Sequence, residues 1–255
     1  MSTATLAERF AELQAEREQT WSPAQLEKNA SQRRILVERD NPAARPKSGD
    51  RIAPFALTDA DGQTLTSTDL LAKGPAVLVF FRFGGCPACN IALPYYDQAL
   101  WPALHAAGMP LIAVSAQTPV DRGPAERHGL RLATFADPDY ALGRALGITF
   151  LPDERPAVAP GQPWIGATLG THSYEIAQPA VIVLESDHTI RFIDVSPDWL
   201  ARTDAATVLA HLPEVRQTPA AGGAPPRRGG VGEGCPRADW LCNAASWYTP
   251  TQPSP

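Results

Sequence analysis

Near the start of the chain, apolar residues recur at helical rather than alternating intervals. Leu6, Phe10, Leu13, Trp21, Leu26 and Ile35 stand among Glu, Gln, Arg and Lys, which predicts two amphipathic helices. Ser22 and Pro23 divide them, Ser22 as an N-cap and Pro23 in a first turn where no amide hydrogen is needed, with Glu27 in the opening turns. "NPAARPKSGD" at 41–50 reads as a linker, and "FALTDADGQTLTSTDL" as a hairpin turning at Asp61-Gly62.

The pattern then changes. "PAVLVFFRF" at 75–83 is apolar without alternation until Arg82, as suits a central strand covered on both faces. "MPLIAVSA" and "LATFADPD" predict further strands; helices are expected from Pro87, over "VDRGPAERHGL" and over "YALGRALG". Strand alternating with helix implies a largely parallel sheet with right-handed crossovers. After an irregular stretch from about residue 149 to 173, "PAVIVLES" and "HTIRFIDV" flank Asp187-His188 as an antiparallel hairpin. "TDAATVLAHL" closes as a helix capped by Thr203 or Asp204. The expected fold class is α/β, a central mixed sheet flanked by helices. Residues 1–45 form a helical extension, 46–213 the main domain and 214–255 a Gly/Pro-rich tail.

Composition narrows the function. A net charge of -5 supplies no general attraction to nucleic acid or anionic membrane. No stretch approaches the ~18 apolar residues of a membrane span, and the charged opening lacks the apolar core of a secretory signal. The expected location is the cytoplasm, where disulfides are usually transient and catalytic. Proline is twice as common as usual, 26 in 255 residues, against about 5%. Much of it lies in linkers such as "QTPAAGGAPPRRGGVGEG" at 217–234, which cannot bury enough apolar surface to order itself.

The chemistry centres on "FRFGGCPACN". Cys86 falls at a strand-to-helix junction with Pro87 in the first helical position, so the exposed amides and the helix dipole favour its thiolate. Cys89 is one helical turn away, placed to attack an oxidised Cys86. A C-x-x-C after a strand in a βαβ setting reads as a dithiol/disulfide couple, with zinc and inert packing as the alternatives. Against zinc, the remaining cysteines, Cys235 and Cys242, lie far along the chain at the wrong spacing, and the five histidines form no ligand pattern. No metal or cofactor is expected. A flexible tether of roughly 18 residues reaches about 23 Å, so Cys235 and Cys242 are either an accessory redox pair or a bland extension. Arg82, four residues before Cys86, either tunes the thiol and orients a hydroperoxide, or escapes to water or to an acid such as Asp137. Tyr174 and Glu175 could line the same pocket.

With these residues in place, the chain resembles the thioredoxin superfamily, most closely the bacterial peroxiredoxin-like proteins of the alkyl-hydroperoxide-reductase and thiol-specific-antioxidant type. The likeness runs from about residue 5 to 212 and includes "CPAC", "LIAVSAQTP", "FADPDYALGRALGI" and "SYEIAQPAVIVL". It implies a thioredoxin-like fold, a kinking Pro94 in the long helix, and a cis peptide bond before Pro179 facing the redox site. There are departures. Val79 and Phe83 stand where typical peroxiredoxins carry a proline and a threonine, Phe83 and Gly85 replace a glycine and a tryptophan of the peroxiredoxin-like subgroup, and Phe80 replaces thioredoxin's buried aspartate.

The resemblance implies a thiol-dependent peroxidase that reduces hydrogen peroxide or organic hydroperoxides. Cys86 is oxidised, Cys89 resolves, and an external thiol system (thioredoxin, glutaredoxin or glutathione) regenerates the dithiol; a homodimer is allowed. A thiol:disulfide oxidoreductase and a non-enzymatic redox-sensing or partner-binding module are the competing readings.

Overall fold

The computed structural model describes residues 4–153, 155, 157–159 and 161–212; the expected tail, with Cys235 and Cys242, lies outside them. Two helices open the chain, α1 (Leu6–Thr20) and α2 (Pro23–Glu38). Each begins with a reciprocal capping box, Thr5 with Glu8 and Ser22 with Gln25. The hairpin strands are β1 (Ala56–Thr58) and β2 (Thr64–Thr66), and Ser67–Leu70 is the short α3. The Asp59 carboxylate accepts from the amides of Asp61 and Gln63, and Gly62 takes a left-handed φ of 78°, which only glycine adopts without cost.

The middle of the chain alternates as the sequence predicts: β3 (Ala76–Phe80), α4 (Pro87–Ala106), β4 (Leu111–Ser115), α5 (Gly123–His128), β5 (Ala133–Ala136) and α6 (Ala141–Ala145). The irregular stretch contains β6 (Thr149–Phe150), α7 (Ile165–Leu169) and β7 (Ile176–Ala177), and the chain continues through β8 (Ala180–Leu184), β9 (Ile190–Val195) and α8 (Ala205–Ala210). Asp204 rather than Thr203 caps α8.

The main sheet runs β2-β1-β5-β4-β3-β8-β9. Only β3, β4 and β5 are mutually parallel; β8 and β9 are antiparallel additions on one side, and the β1–β2 hairpin is joined antiparallel to β5 through Thr58 and Ala136. The early hairpin thus forms one edge of this sheet, and the sheet is mixed, as the expected fold class has it. Every residue of β3, β4 and β8 is buried, which explains their unbroken apolar runs. β3 divides two cores. Val77 and Val79 pack with α1, α4 and Trp199 on one side; Ala76, Leu78 and Phe80 pack with Leu57, Leu142 and Leu146 on the other. The cysteines belong to the first.

Helix α4 is tied down from within. Asp97 is buried, its carboxylate accepting from the amides of Arg131 and Leu132, both at 2.8 Å, and from Arg131 Nε at 2.9 Å. Tyr96 Oη donates to the Thr203 carbonyl at 2.7 Å, and Tyr95 Oη accepts from the Ala205 amide. Removing Asp97 strands two amides. Asp97→Ala should therefore lower unfolding free energy by about 2–3 kcal/mol in urea titration, whereas Arg131→Ala, which loses a half-exposed ion pair, should cost about 1 kcal/mol or less. Equal losses from the two would show that the ion pair, not amide satisfaction, anchors the helix.

Candidate active site

β3 ends at Phe80, and the chain crosses Phe81 to Gly85 before α4 begins with Cys86 as its N-cap. This crossing is tightly held. Gln117 Oε1 accepts from the Gly84 amide at 2.9 Å, while Asn90 Nδ2 donates to the carbonyls of Gly84, at 2.7 Å, and Cys86, at 3.0 Å. Arg127 donates to the Gly84 carbonyl and to Asn90 Oδ1. An added Cβ at position 84 would meet the Asp121 carboxylate, so a larger residue there requires that side chain to move.

Cys86 is 4% exposed and Cys89 fully buried; both are free thiols. Cys86 caps α4 with Cys89 in its first turn, and Arg202, in the loop before α8, donates through Nη2 to Cys89 Sγ at 3.3 Å. The hydrogen bond to Cys89, then burial and the neighbouring charge, hold the Cys86 thiol well above the ordinary value; Arg202 and Arg82 only partly offset this. Burial also pushes Cys89 up. The Cys86 hydrogen bond, the Arg202 charge and hydrogen bond, and the Arg82 amide together outweigh it and hold Cys89 well below. The two thiols therefore titrate as one coupled unit, and the helix N-terminus, from which the sequence expectation put the thiolate on Cys86, is one influence on that unit beside burial and the Arg202 donor.

Arg82 neither escapes to water nor pairs with Asp137. Its guanidinium lies over the Trp199 ring at 4.3 Å, with Nε buried and without a hydrogen-bond partner. Asp137 instead accepts from the amides of Leu142 and Gly143 at the start of α6. Trp199 organises both arginines, since its carbonyl accepts from Arg202 Nε at 2.9 Å. Pro87 occupies the first turn of α4 as expected.

Pro179 opens β8, separated from the Arg202 side chain by a void too tight for a water. The bond before it is trans. Among the described residues the cis peptide bond precedes Pro119, which corrects the expectation at Gln178-Pro179. There the Gln178 amide donates to the Ile148 carbonyl and the Pro179 carbonyl accepts from the Ser196 amide. Glu175 is paired with Arg144, and the Tyr174 ring packs on Trp164, so neither joins the dithiol.

Sequence reasoning missed Trp199, Arg202, Asn90 and Gln117, whose roles arise from long-range packing and carry no local signal. A cavity of about 530 Å³ lies elsewhere, lined by Ile35, Leu36, Arg39, Phe150 and Leu151, and neither Cys86 nor Cys89 lines it. Among the described residues, no group of three or more His, Cys, Asp or Glu side chains is arranged to hold a metal.

Similar solved structures include peroxiredoxin 6 of Arenicola marina, in a cysteine-to-serine mutant, at 19% identity and a TM-score of 0.50, covering 64% of this chain and 70% of that one. Peroxidoxin BcpB from Mycobacterium tuberculosis follows at 19% identity and a TM-score of 0.48, covering 65% of this chain and 95% of its own. A peroxiredoxin-like protein from Aquifex aeolicus has 16% identity and a TM-score of 0.48, with coverage of 66% and 89%. The first supports the thioredoxin-like peroxiredoxin fold. A comparison with curated proteins gave no match. The sequence matches the model of the AhpC/TSA family over residues 48–193, more than half of the chain and the whole span from the hairpin through β9 that carries the dithiol, and the protein belongs to that family.

Proposed function

We propose that the dithiol of α4 is the reaction centre of a thiol-dependent peroxidase, with Cys86 as the nucleophile and Cys89 as the resolving thiol. Family membership makes the chain a thiol-dependent oxidoreductase of the peroxiredoxin type. The observation that carries the residue assignment is the pair of free thiols in the cap and first turn of α4, with Arg202 on the inner sulfur. Exposure separates the roles, since Cys86 alone of the two has any contact with solvent.

The chemistry starts with loss of the Cys86 proton, which leaves a negative charge on the outer sulfur. The Cys86 thiolate attacks the terminal peroxide oxygen. A sulfur–oxygen bond forms, the oxygen–oxygen bond breaks, and the departing alkoxide or hydroxide takes up a proton. Cys89 then attacks the Cys86 sulfenic acid, forming the disulfide and releasing water. An external dithiol returns two electrons and two protons by thiol–disulfide exchange. A thioredoxin-type reductant in a reducing compartment, the cytoplasm, fits that requirement. Among the described residues no helix is long and apolar enough to cross a membrane.

The burial of Cys86 favours a peroxide over a protein disulfide, because a small oxidant needs far less room at a sulfur only 4% exposed. Phe83, in place of the usual hydroxyl, keeps the thiol:disulfide oxidoreductase as the second reading, and a sensor module needs nothing beyond the same disulfide.

Cys86→Ser should abolish peroxide consumption, and Cys89→Ser should allow about one turnover, with the sulfenic acid trapped by a dimedone-type reagent and read by mass spectrometry; full turnover in Cys86→Ser would overturn the assignment. The same variants fix the sign of the pH dependence. In Cys89→Ser the neighbour that raises the Cys86 pKa most is gone while Arg82 and Arg202 remain, so the pH midpoint of Cys86 alkylation should fall relative to that of the native chain. An unchanged midpoint would show that burial alone governs the sulfur.

A further inference from the structure

The cavity of about 530 Å³ lies between α2 and the segment that carries β6. Its volume falls within the range of small-molecule sites, roughly 300–1,000 Å³. One wall is a face of α2, where Lys28, Gln32, Ile35 and Arg39 follow one another at the spacing that stacks side chains on one side of a helix. Phe150 and Leu151 form the other.

Two features set this cavity apart from an ordinary surface depression. The first is apolar surface that the fold leaves uncovered. Among the described residues few large apolar side chains stay exposed, and two of them, Ile35 at 38% and Leu151 at 51%, line this cavity, one from each wall. The buried Leu36 and half-buried Phe150 extend the same apolar lining. Single exposed apolar residues are ordinary, but convergent ones mark a binding groove.

The second feature is charge. Arg45 pairs with Asp40 and also donates to Gln178 Oε1 at 3.2 Å, and Arg39 pairs with Asp153 from wall to wall at 2.6 Å. Those four charges cancel. Lys28 is exposed and makes no ion pair among the described residues. The lining therefore carries one uncompensated positive charge, in a chain whose net charge is -5. An apolar lining with one such cation complements a molecule that has an apolar body and a single negative group. A phosphate monoester would bring a second charge with nothing to meet it.

We infer that this cavity binds a small amphipathic carboxylate, its apolar body between Ile35 and Leu151 and its carboxylate at Lys28. The site is separate from the dithiol and stands whichever oxidant Cys86 takes. Lys28, Ile35 and Arg39 precede residues 48–193, whereas Phe150 and Leu151 lie within them, so the helical extension and the family-matched region build the site jointly.

The test is a ¹H–¹⁵N chemical-shift titration of the full-length chain with octanoate, octanamide and octylamine, which share an apolar chain and differ in charge. Octanoate should give saturable shifts at backbone amides of residues 28–39 and 147–153, with a dissociation constant of about 0.1–1 mM. Octanamide should bind about fivefold more weakly, the upper end for one solvent-exposed ion pair, and octylamine more weakly still. Lys28→Met should bring octanoate and octanamide to within about twofold of each other, and Leu151→Asp should weaken octanoate by about tenfold or more. Both positions are exposed, so neither variant disturbs the core. Equal affinity of acid and amide for the native chain would overturn the inference, as would a preference for the acid that survives Lys28→Met. Saturable shifts confined to other residues, or none at all, would overturn it too. If the native chain then proves to be a dimer that Leu151→Asp dissociates, the occupant is a second copy of the chain instead.

Discussion

The centre depends on the coupling of two sulfurs. Cys86 and Cys89 occupy the cap and first turn of α4, so the two thiols titrate as a coupled pair, and Arg202 donates to the inner sulfur. A lone buried thiol would be held protonated by desolvation. The pair avoids that outcome because its first proton departs with a compensating donor in place, while the second is retained against both burial and the charge already present. What the fold must provide is therefore geometric: two sulfurs in reach, and guanidinium groups brought to them from distant parts of the chain.

The geometry is secured by redundancy at the strand-to-helix crossing. Gly84 is gripped at both its amide and its carbonyl, by Gln117 from beyond β4, Asn90 from α4 and Arg127 from α5. Three elements thus fix one turn. Trp199 supports Arg82 with its ring and Arg202 with its carbonyl, so a single buried indole sets the position of two guanidiniums. Loss of that ring would disturb charge placement as well as packing, which is why its role differs from that of the leucines around it.

Much of this was legible in the chain. The unbroken apolar runs of β3 and β8, the Pro87 start of α4 and the Ser22 cap are local signals with local causes, and they locate Cys86 at a helix N-terminus without any structure. The antiparallel attachment of the β1–β2 hairpin to β5 was not legible, since a short hairpin carries no mark of which edge it will join. Nor was the distribution of charge within the dithiol, because Arg202 is 113 residues from the sulfur it contacts. The trans bond before Pro179 has a similar origin: its neighbours Ile148 and Ser196 are contacts that a motif cannot encode.

Burial imposes a consequence on the catalytic cycle. Once the disulfide has formed, the reductant's thiolate must approach the sulfur under attack along the S–S axis, and that sulfur is the outer one, Cys86, because Cys89 has no exposed surface. Leu6 and Phe10 of α1 pack into the core that holds the dithiol, and the Phe10 ring faces Arg202 at 5.6 Å. Oxidation removes the negative charge that Arg202 and Arg82 were compensating, leaving those cations unbalanced beneath the helix.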